Sequence, residues 1–178
     1  MSDEVADPGS GQRWVFRRTD GEALEADLFV SRGGFVRRHL HPEQEETFKG
    51  VSGMFVLDVA GEERRIGPGD SVVIPPGTPH GFVDAAGDAH LLVTVRPALE
   101  LELYFRAFLG LSRDGRIRMP VRGLPGPILL VAAVMHRYRR EIAAPELPLW
   151  LQRALWWTLA AIGRVFRVRA SFPEYGAD

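Results

Sequence analysis

The stretch GGFVRRHLHPEQEETFKGVSG, residues 33–53, decides how this chain is expected to fold, because it places two histidines on one strand. His39 and His41 are two residues apart, and residues two apart on a strand point to the same face. Both imidazoles are therefore predicted to reach one ion from one wall. Pro42 marks a turn, and the run of carboxylates that follows it ends at Glu46.

A second stretch, GDSVVIPPGTPHGFVD at residues 69–84, supplies a third histidine, because its prolines and glycine predict a rigid turn before His80. The chain has no cysteine, so any metal must be held by nitrogen and oxygen ligands. Three neutral imidazoles and one carboxylate suit a divalent first-row metal. The expected ligands of one such ion (Fe, Mn, Ni, Zn or Cu) are His39, His41, His80 and one of the carboxylates that follow Pro42, Glu45 or Glu46.

Between about Trp14 and Pro97, short runs rich in Val, Phe, Ile and Leu alternate with turns marked by glycine and proline. Evenly spaced short strands with such turns predict a mainly β fold, an antiparallel sandwich or barrel. Residues 1–12 are polar and aperiodic, and we expect them to be a disordered lead.

These two stretches resemble the two motifs of the cupin superfamily. The first motif is matched in residue type and spacing at Gly33, His39, His41, Glu46 and Gly53. The second is matched at Gly69, Pro75, Gly77 and His80, and departs only at Asp84, where the family has asparagine. The resemblance covers about residues 14–97. It implies a jelly-roll barrel over residues 13–97, the metal ligands His39, His41, Glu46 and His80, and a homodimer built through edge strands.

After Pro97 the hydrophobic pattern takes on a helical period, and residues 98–178 are expected to form an extension of about three helices. The last two helices are expected to pack as a hairpin. An interfacial membrane helix is the alternative, because Trp150, Trp156, Trp157 and Phe166 lie beside several arginines. The same apolar face would also suit a dimer contact.

Strand alternation gives further candidates near the metal. It puts Arg37, Phe48 and Phe82 on the cavity side, where they would bind substrate, although a mouth-exposed Arg37 is an equal alternative. If Glu46 is the ligand, Glu45 lies on the opposite face and is solvated. No separate acid–base residue is evident, and the catalytic candidates are Glu45, Asp84 and Arg37.

The resemblance implies a metalloenzyme that acts on a small organic molecule inside the barrel. Iron, nickel, copper or manganese would suit a dioxygenase, whereas zinc or manganese would suit a Lewis-acid cyclase or isomerase. The alternative is a small-molecule-binding or structural cupin without catalysis. Apo protein that keeps full turnover after chelation would contradict the enzyme.

Composition limits the partners and the location. The apolar fraction of 46%, the charged fraction of 25% and the net charge of −1 are those of an ordinary soluble globular protein. The N-terminus lacks a basic start and an apolar run, so we expect a cytoplasmic protein. We expect no nucleic-acid binding, because residues 1–12 are too short for an N-terminal helix-turn-helix and the C-terminal helices are too apolar to lie on DNA.

Overall fold

The computed structural model describes residues 3–82, 87–117 and 125–177. Its ten strands are β1 (Glu4–Asp7), β2 (Gln12–Thr19), β3 (Leu24–Val30), β4 (Val36–His39), β5 (Glu45–Ser52), β6 (Phe55–Val59), β7 (Glu62–Ile66), β8 (Ser71–Ile74), β9 (His80–Phe82) and β10 (Ala89–Arg96). Its helices are α1 (Leu101–Arg113), α2 (Pro125–Arg137), α3 (Leu149–Val165) and a short 3-10 helix (Pro173–Tyr175).

The strands form two antiparallel sheets. One has the order β1-β2-β3-β10-β5-β8, and the other has the order β4-β9-β6-β7. His39 of β4 and His80 of β9 are direct cross-strand partners, whereas Glu46 comes from β5 in the larger sheet. The predicted mainly β jelly roll followed by three helices is therefore confirmed, and the ligands come from both sheets.

Alternation of buried and exposed side chains explains why the sheets close on one core. In β10 the side chains of Ala89, Leu91, Val93 and Val95 are buried, and the residues between them are half-buried. Each fully buried Leu or Val contributes roughly 1.5–3 kcal/mol of hydrophobic stabilisation. Because β10 pairs with both β3 and β5, this central strand ties the wall that carries Glu46 to the rest of the sheet.

The expected disordered lead over residues 1–12 is wrong for Glu4–Asp7. These residues form β1 and pair with β2, with Val5 opposite Trp14. The Asp7 carboxylate accepts hydrogen bonds from the Gly9 N–H and from the Ser112 hydroxyl of α1. Contacts with distant parts of the chain order this segment, and its own composition carries no trace of them.

The helical extension is attached to the barrel at its ligand-bearing end. Helices α2 and α3 pack against each other, and the chain between them returns to the barrel. There Leu40 and Ala143 exchange two backbone hydrogen bonds, of 3.0 and 2.9 Å. None of the helices in the described ranges is both long and apolar enough to cross a membrane.

Candidate metal centre

The structure brings the four predicted ligands together. The ligand atoms of His39, His41, Glu46 and His80, here called the ligand cluster, all lie within 4.8 Å of one another. His39 ends β4, Glu46 lies in β5 and His80 begins β9. All members except the half-buried His39 are at most 2% exposed. Three of the four groups are therefore shielded from water, and His39 lies at the edge of the site.

Backbone carbonyl groups orient all three imidazoles in the same way. His39 Nδ1 lies 2.8 Å from the Arg37 oxygen, His80 Nδ1 lies 2.9 Å from the Thr78 oxygen, and His41 Nδ1 lies 2.5 Å from the Glu141 oxygen. A carbonyl oxygen only accepts, so each Nδ1 carries the proton and donates. Each Nε2 is then left with a free lone pair, as a metal ligand requires.

The Nε2 atoms converge on the Glu46 carboxylate. His80 Nε2 is 2.8 Å and His41 Nε2 is 3.4 Å from Glu46 Oε2, and the Nε2 atoms of His39 and His41 are 3.3 Å apart. Glu46 Oε2 and His80 Nε2 are buried without a well-aligned hydrogen bond within the described part of the chain. Neighbouring ligands around an ion with bonds of about 2.1 Å lie at such separations, so the donor set fits a divalent metal.

The charges in the cluster point to a cation. Burial alone would raise the pKa of Glu46, but His41 and His80 outweigh it and hold the pKa well below its usual range. Burial, reinforced by His80 and His41, lowers the pKa of His39 to about 3. Burial would also lower the pKa of His80, whereas the Glu46 carboxylate raises it above the usual value. A buried carboxylate that stays ionised needs a positive partner. A proton on His80 supplies one when no metal is bound, and an ion at His80 Nε2 would take the place of that proton.

A tight backbone contact joins the two ligand-bearing stretches. The Gly77 N–H donates a hydrogen bond of 2.8 Å to the carbonyl oxygen of His41. Gly77 has φ +76°, a conformation that side-chain-bearing residues rarely adopt. The turn between β8 and β9 can therefore bend towards His41, which explains why glycine stands three residues before His80.

Glu46 and Glu45 lie in the environments that strand alternation predicts for them. Glu46 is buried at the cluster, and Glu45 is exposed on the opposite face of β5. The exposed position takes Glu45 away from the cavity, and its predicted catalytic role stays a prediction.

Of the two positions expected for Arg37, in the cavity wall or exposed at its mouth, the structure shows an exposed side chain. Val36 lines the cavity instead. The pairing of β4 with β9 shifts register between Val36 and His39, so the two-residue alternation breaks there. The exposed-arginine alternative describes its position, and its role in substrate binding stays a prediction. Asp84, the other catalytic candidate, lies outside the described residues.

A small apolar cavity of about 30 Å³ adjoins the cluster. Phe48 and Phe82 line it, as predicted. Trp14 of β2 and Phe105 of α1 line it as well, with ring centroids 4.3 Å apart. A cavity needs about 10–15 Å³ for a water molecule, so this one holds one or two waters or a ligand of similar size. Reasoning from the motifs missed Trp14 and Phe105, because both lie outside them.

Sequence reasoning also missed the carbonyl groups of Arg37, Thr78 and Glu141, since a backbone acceptor has no residue-type signature. The only sequence signal for such an acceptor is a short distance along the chain to the histidine that it orients. Arg37 and Thr78 each stand two residues before a histidine that they orient, whereas Glu141 is 100 residues from His41.

Comparisons with known proteins agree with this architecture. Residues 29–95 match the family model described as the Cupin domain. An RmlC-like cupin from Shewanella frigidimarina is 26% identical with a TM-score of 0.50, over 55% of this chain and 86% of that one. KdgF from Halomonas sp. is also 26% identical, with a TM-score of 0.49 over 52% of this chain and 84% of that one. No curated protein matches the sequence.

Proposed function

Since residues 29–95 form a cupin domain, we propose that this protein is a metal-dependent enzyme that acts on a small organic molecule at an ion held by the ligand cluster. The observation that carries the proposal is the common orientation of the three imidazoles. Each donates from Nδ1 to a backbone carbonyl, and each thereby offers Nε2 to one point beside the Glu46 carboxylate. A merely structural cluster of histidines does not require this uniform arrangement.

The residues of the chain define what a bound ion would meet. His39, His41, Glu46 and His80 would hold it, and it would supply Lewis-acid polarisation or, with iron or another redox-active metal, a site for dioxygen chemistry. Glu46 keeps its negative charge across the neutral range. Phe48 and Phe82 wall the adjoining cavity and exclude bulk water, which strengthens electrostatic interactions at the site.

A non-catalytic metal-binding cupin is the second candidate, and the size of the cavity favours it. About 30 Å³ admits a small ligand beside the cluster, whereas an aromatic substrate needs space that Trp14 and Phe105 now fill. The enzyme therefore requires these two rings to move or its substrate to be small.

Metal content tests the site itself. Protein purified without a metal-affinity tag is expected to contain about one transition-metal ion per chain, measured by mass spectrometry of the elements. Glu46→Gln and His80→Ala should lose the ion. Glu45→Gln changes the exposed neighbour in the same way and should keep it. Equal metal content in all of these proteins would contradict the site.

Turnover separates the two candidates. The metallated protein is incubated with a panel of small aromatic and aliphatic compounds, with dioxygen uptake and product formation followed in parallel. The enzyme predicts turnover that chelation abolishes and that the added metal restores. Dioxygen uptake would indicate the oxygenase, and product without uptake the cyclase or isomerase. A stoichiometric metal with no turnover, or turnover that survives chelation, would count against the enzyme.

We propose in addition that two copies of the chain pair through an edge strand. The edges of the two sheets are β1 and β8 in one and β4 and β7 in the other. Light scattering on the size-exclusion eluate measures the mass directly, and a monomer at micromolar concentration would contradict the pairing.

A further inference from the structure

A second cavity, of about 280 Å³, lies between α2, α3 and the segment after α3, away from the ligand cluster. Five of its nine lining residues are basic: His136, Arg137, Arg139, Arg164 and Arg169. The other four are alanine or valine, so none of the described lining residues is acidic. We call this feature the basic cavity.

Three of its arginines form no ion pair with the described residues. Arg137 is paired with Glu100 through two hydrogen bonds. Within residues 3–82, 87–117 and 125–177, Arg139, Arg164 and Arg169 form no ion pair with any carboxylate, whereas many other arginines do, for example Arg140 with Glu43. Positive charge is therefore concentrated around a concave surface, where it raises the local concentration of anions.

The partial negative charges at the C-termini of α2 and α3 offset only part of the positive charge of these arginines. His136 lies in the last turn of α2, and Arg164 lies in the last turn of α3. A helix C-terminus carries about half a negative charge, so the two ends together offset about one of the three arginine charges. Arg139 lies beyond the end of α2, but its guanidinium donates a 3.0 Å hydrogen bond to the His136 carbonyl oxygen in the last turn. Arg169 lies beyond the end of α3 and is four residues past its last residue, where the effect of the helix end has faded.

The pKa of His136 shows that the positive charge of Arg139 and Arg164 acts on groups inside the basic cavity. Burial, together with Arg139 and Arg164, lowers its pKa below the usual value. Its Nδ1 atom is buried and has no hydrogen-bond partner among the described residues. A bound oxyanion, or a water molecule ordered by it, would supply a hydrogen-bond partner for His136 Nδ1 and for the arginines.

We propose that the basic cavity binds a phosphate-bearing anion, with Arg139, Arg164 and Arg169 as its charged contacts. Guanidinium groups present paired N–H donors whose geometry matches phosphate oxygens, and such charge-assisted bonds are among the strongest hydrogen bonds in proteins. A volume of about 280 Å³ accommodates a phosphate with part of the group that it esterifies. The phosphate belongs either to a soluble phosphoester or to the headgroup of an anionic phospholipid.

Binding of inorganic phosphate to the full-length protein tests the soluble source, by calorimetry at low ionic strength. We expect saturable binding that Arg164→Gln and Arg169→Gln each weaken about tenfold or more, as the loss of one charged hydrogen bond implies. Arg153→Gln is the matched control, because Arg153 is an exposed arginine of α3 outside the basic cavity. It should bind phosphate like the unchanged protein.

Vesicle flotation tests the lipid source with the same variants. Vesicles of phosphatidylglycerol should retain the protein more than vesicles of phosphatidylcholine, and Arg164→Gln and Arg169→Gln should abolish the difference. Either result, phosphate binding or selective flotation with this dependence on the variants, supports the proposal and identifies the source. The side-chain nitrogen resonances of His136 give a second readout, since a ligand in the basic cavity shifts them.

Three results would overturn the proposal. The first is no binding of phosphate at millimolar concentration together with no preference for the anionic vesicles, which would leave the arginines as helix-capping cations. The second is an equal loss of binding in Arg153→Gln, which would indicate diffuse charge. The third is binding that leaves the His136 resonances unchanged. Melting temperatures of the variants show that each is folded before it is compared.

Discussion

The imidazole of His41 donates its Nδ1 proton to the carbonyl oxygen of Glu141, 2.5 Å away and 100 residues further along the chain. The Glu141 carboxylate in turn accepts hydrogen bonds from the backbone N–H groups of Glu100 and Arg140, at 3.3 and 3.1 Å. The adjoining bridge between Leu40 and Ala143 fixes the same segment against the barrel. The helical extension is therefore part of the candidate metal centre, because it holds the orientation of His41, one of the four candidate ligands.

Replacement of Glu141 by alanine is expected to weaken metal binding by about 10- to 100-fold, the usual cost of losing a group that orients a ligand. The substitution removes the carboxylate that holds the segment in place, and the carbonyl group that faces His41 then shifts. Competition against a chromophoric chelator measures the affinity. Glu141→Gln keeps an acceptor and should restore most of it. Glu146→Ala, an exposed change in the same segment, is the control, and an equal effect there would contradict the role of Glu141.

Replacement of Phe105 by alanine is expected to enlarge the cavity beside the ligand cluster. Phe105 is half-buried and stacks on Trp14, so its removal opens space at the cost of about 2 kcal/mol of stability, less than for a fully buried ring. Calorimetric titration with a small aromatic ligand should show tighter binding. Phe108→Ala removes a half-buried ring of α1 that does not line the cavity and should leave binding unchanged. Equal affinity in both variants would contradict the idea that the Phe105 ring limits the space for a ligand in the cavity.

Replacement of Asp27 by asparagine tests an ion pair remote from the metal. Burial would raise the pKa of Asp27, but Arg17 and His90 outweigh it and lower the pKa. A depressed pKa in the folded state adds stability above the unfolded pKa of about 4, and that stability is lost as the pH falls through the folded value.

The change should therefore cost about 1 kcal/mol at pH 7, a modest figure because the Arg17 side chain is 54% exposed. The difference from the unchanged protein should vanish once the pH falls below the lowered pKa of Asp27. Urea unfolding at several pH values measures it. Glu25→Gln, a change at a half-buried carboxylate of the same strand whose partner is the exposed Arg18, provides the baseline. A pH-independent loss in Asp27→Asn would contradict the assignment.

Removal of the metal is expected to lower the melting temperature. A ligand that binds only the folded state stabilises it by about 2.7 kcal/mol at a hundredfold excess over its dissociation constant. Differential scanning calorimetry with and without a chelator measures the shift. His80→Ala should melt at one temperature under both conditions. A chelator-dependent shift that survives in this variant would place the metal elsewhere.

The chemistry of the ligand cluster could be predicted from the sequence because it depends on local spacing. The two-residue separation of His39 and His41 predicted a shared face, and the resemblance to the cupin motif implied Glu46 rather than Glu45 as the carboxylate ligand. The structure places Glu46 in the cluster and Glu45 at the surface. The jelly roll and the number of helices followed from the same patterns. These features repeat over short windows of sequence, which is where hydrophobic periodicity is informative.

Longer-range features could not be predicted. The pairing of β4 with β9 shifts register between Val36 and His39, and alternation in the sequence has no means of detecting such a shift. The strand Glu4–Asp7 exists because it pairs with β2 and contacts α1. Glu141 acts on His41 through its backbone carbonyl, so any residue type would offer the same atom.

The stacked rings of Trp14 and Phe105 line the cavity from parts of the chain that carry none of the candidate metal ligands. Both rings lie outside residues 29–95, the segment that carries every member of the ligand cluster. Substitutions at these flanking positions can therefore retune which molecules reach the ion while its coordination stays untouched. A search for variants with altered selectivity should accordingly begin at β2 and α1 and leave the histidines alone.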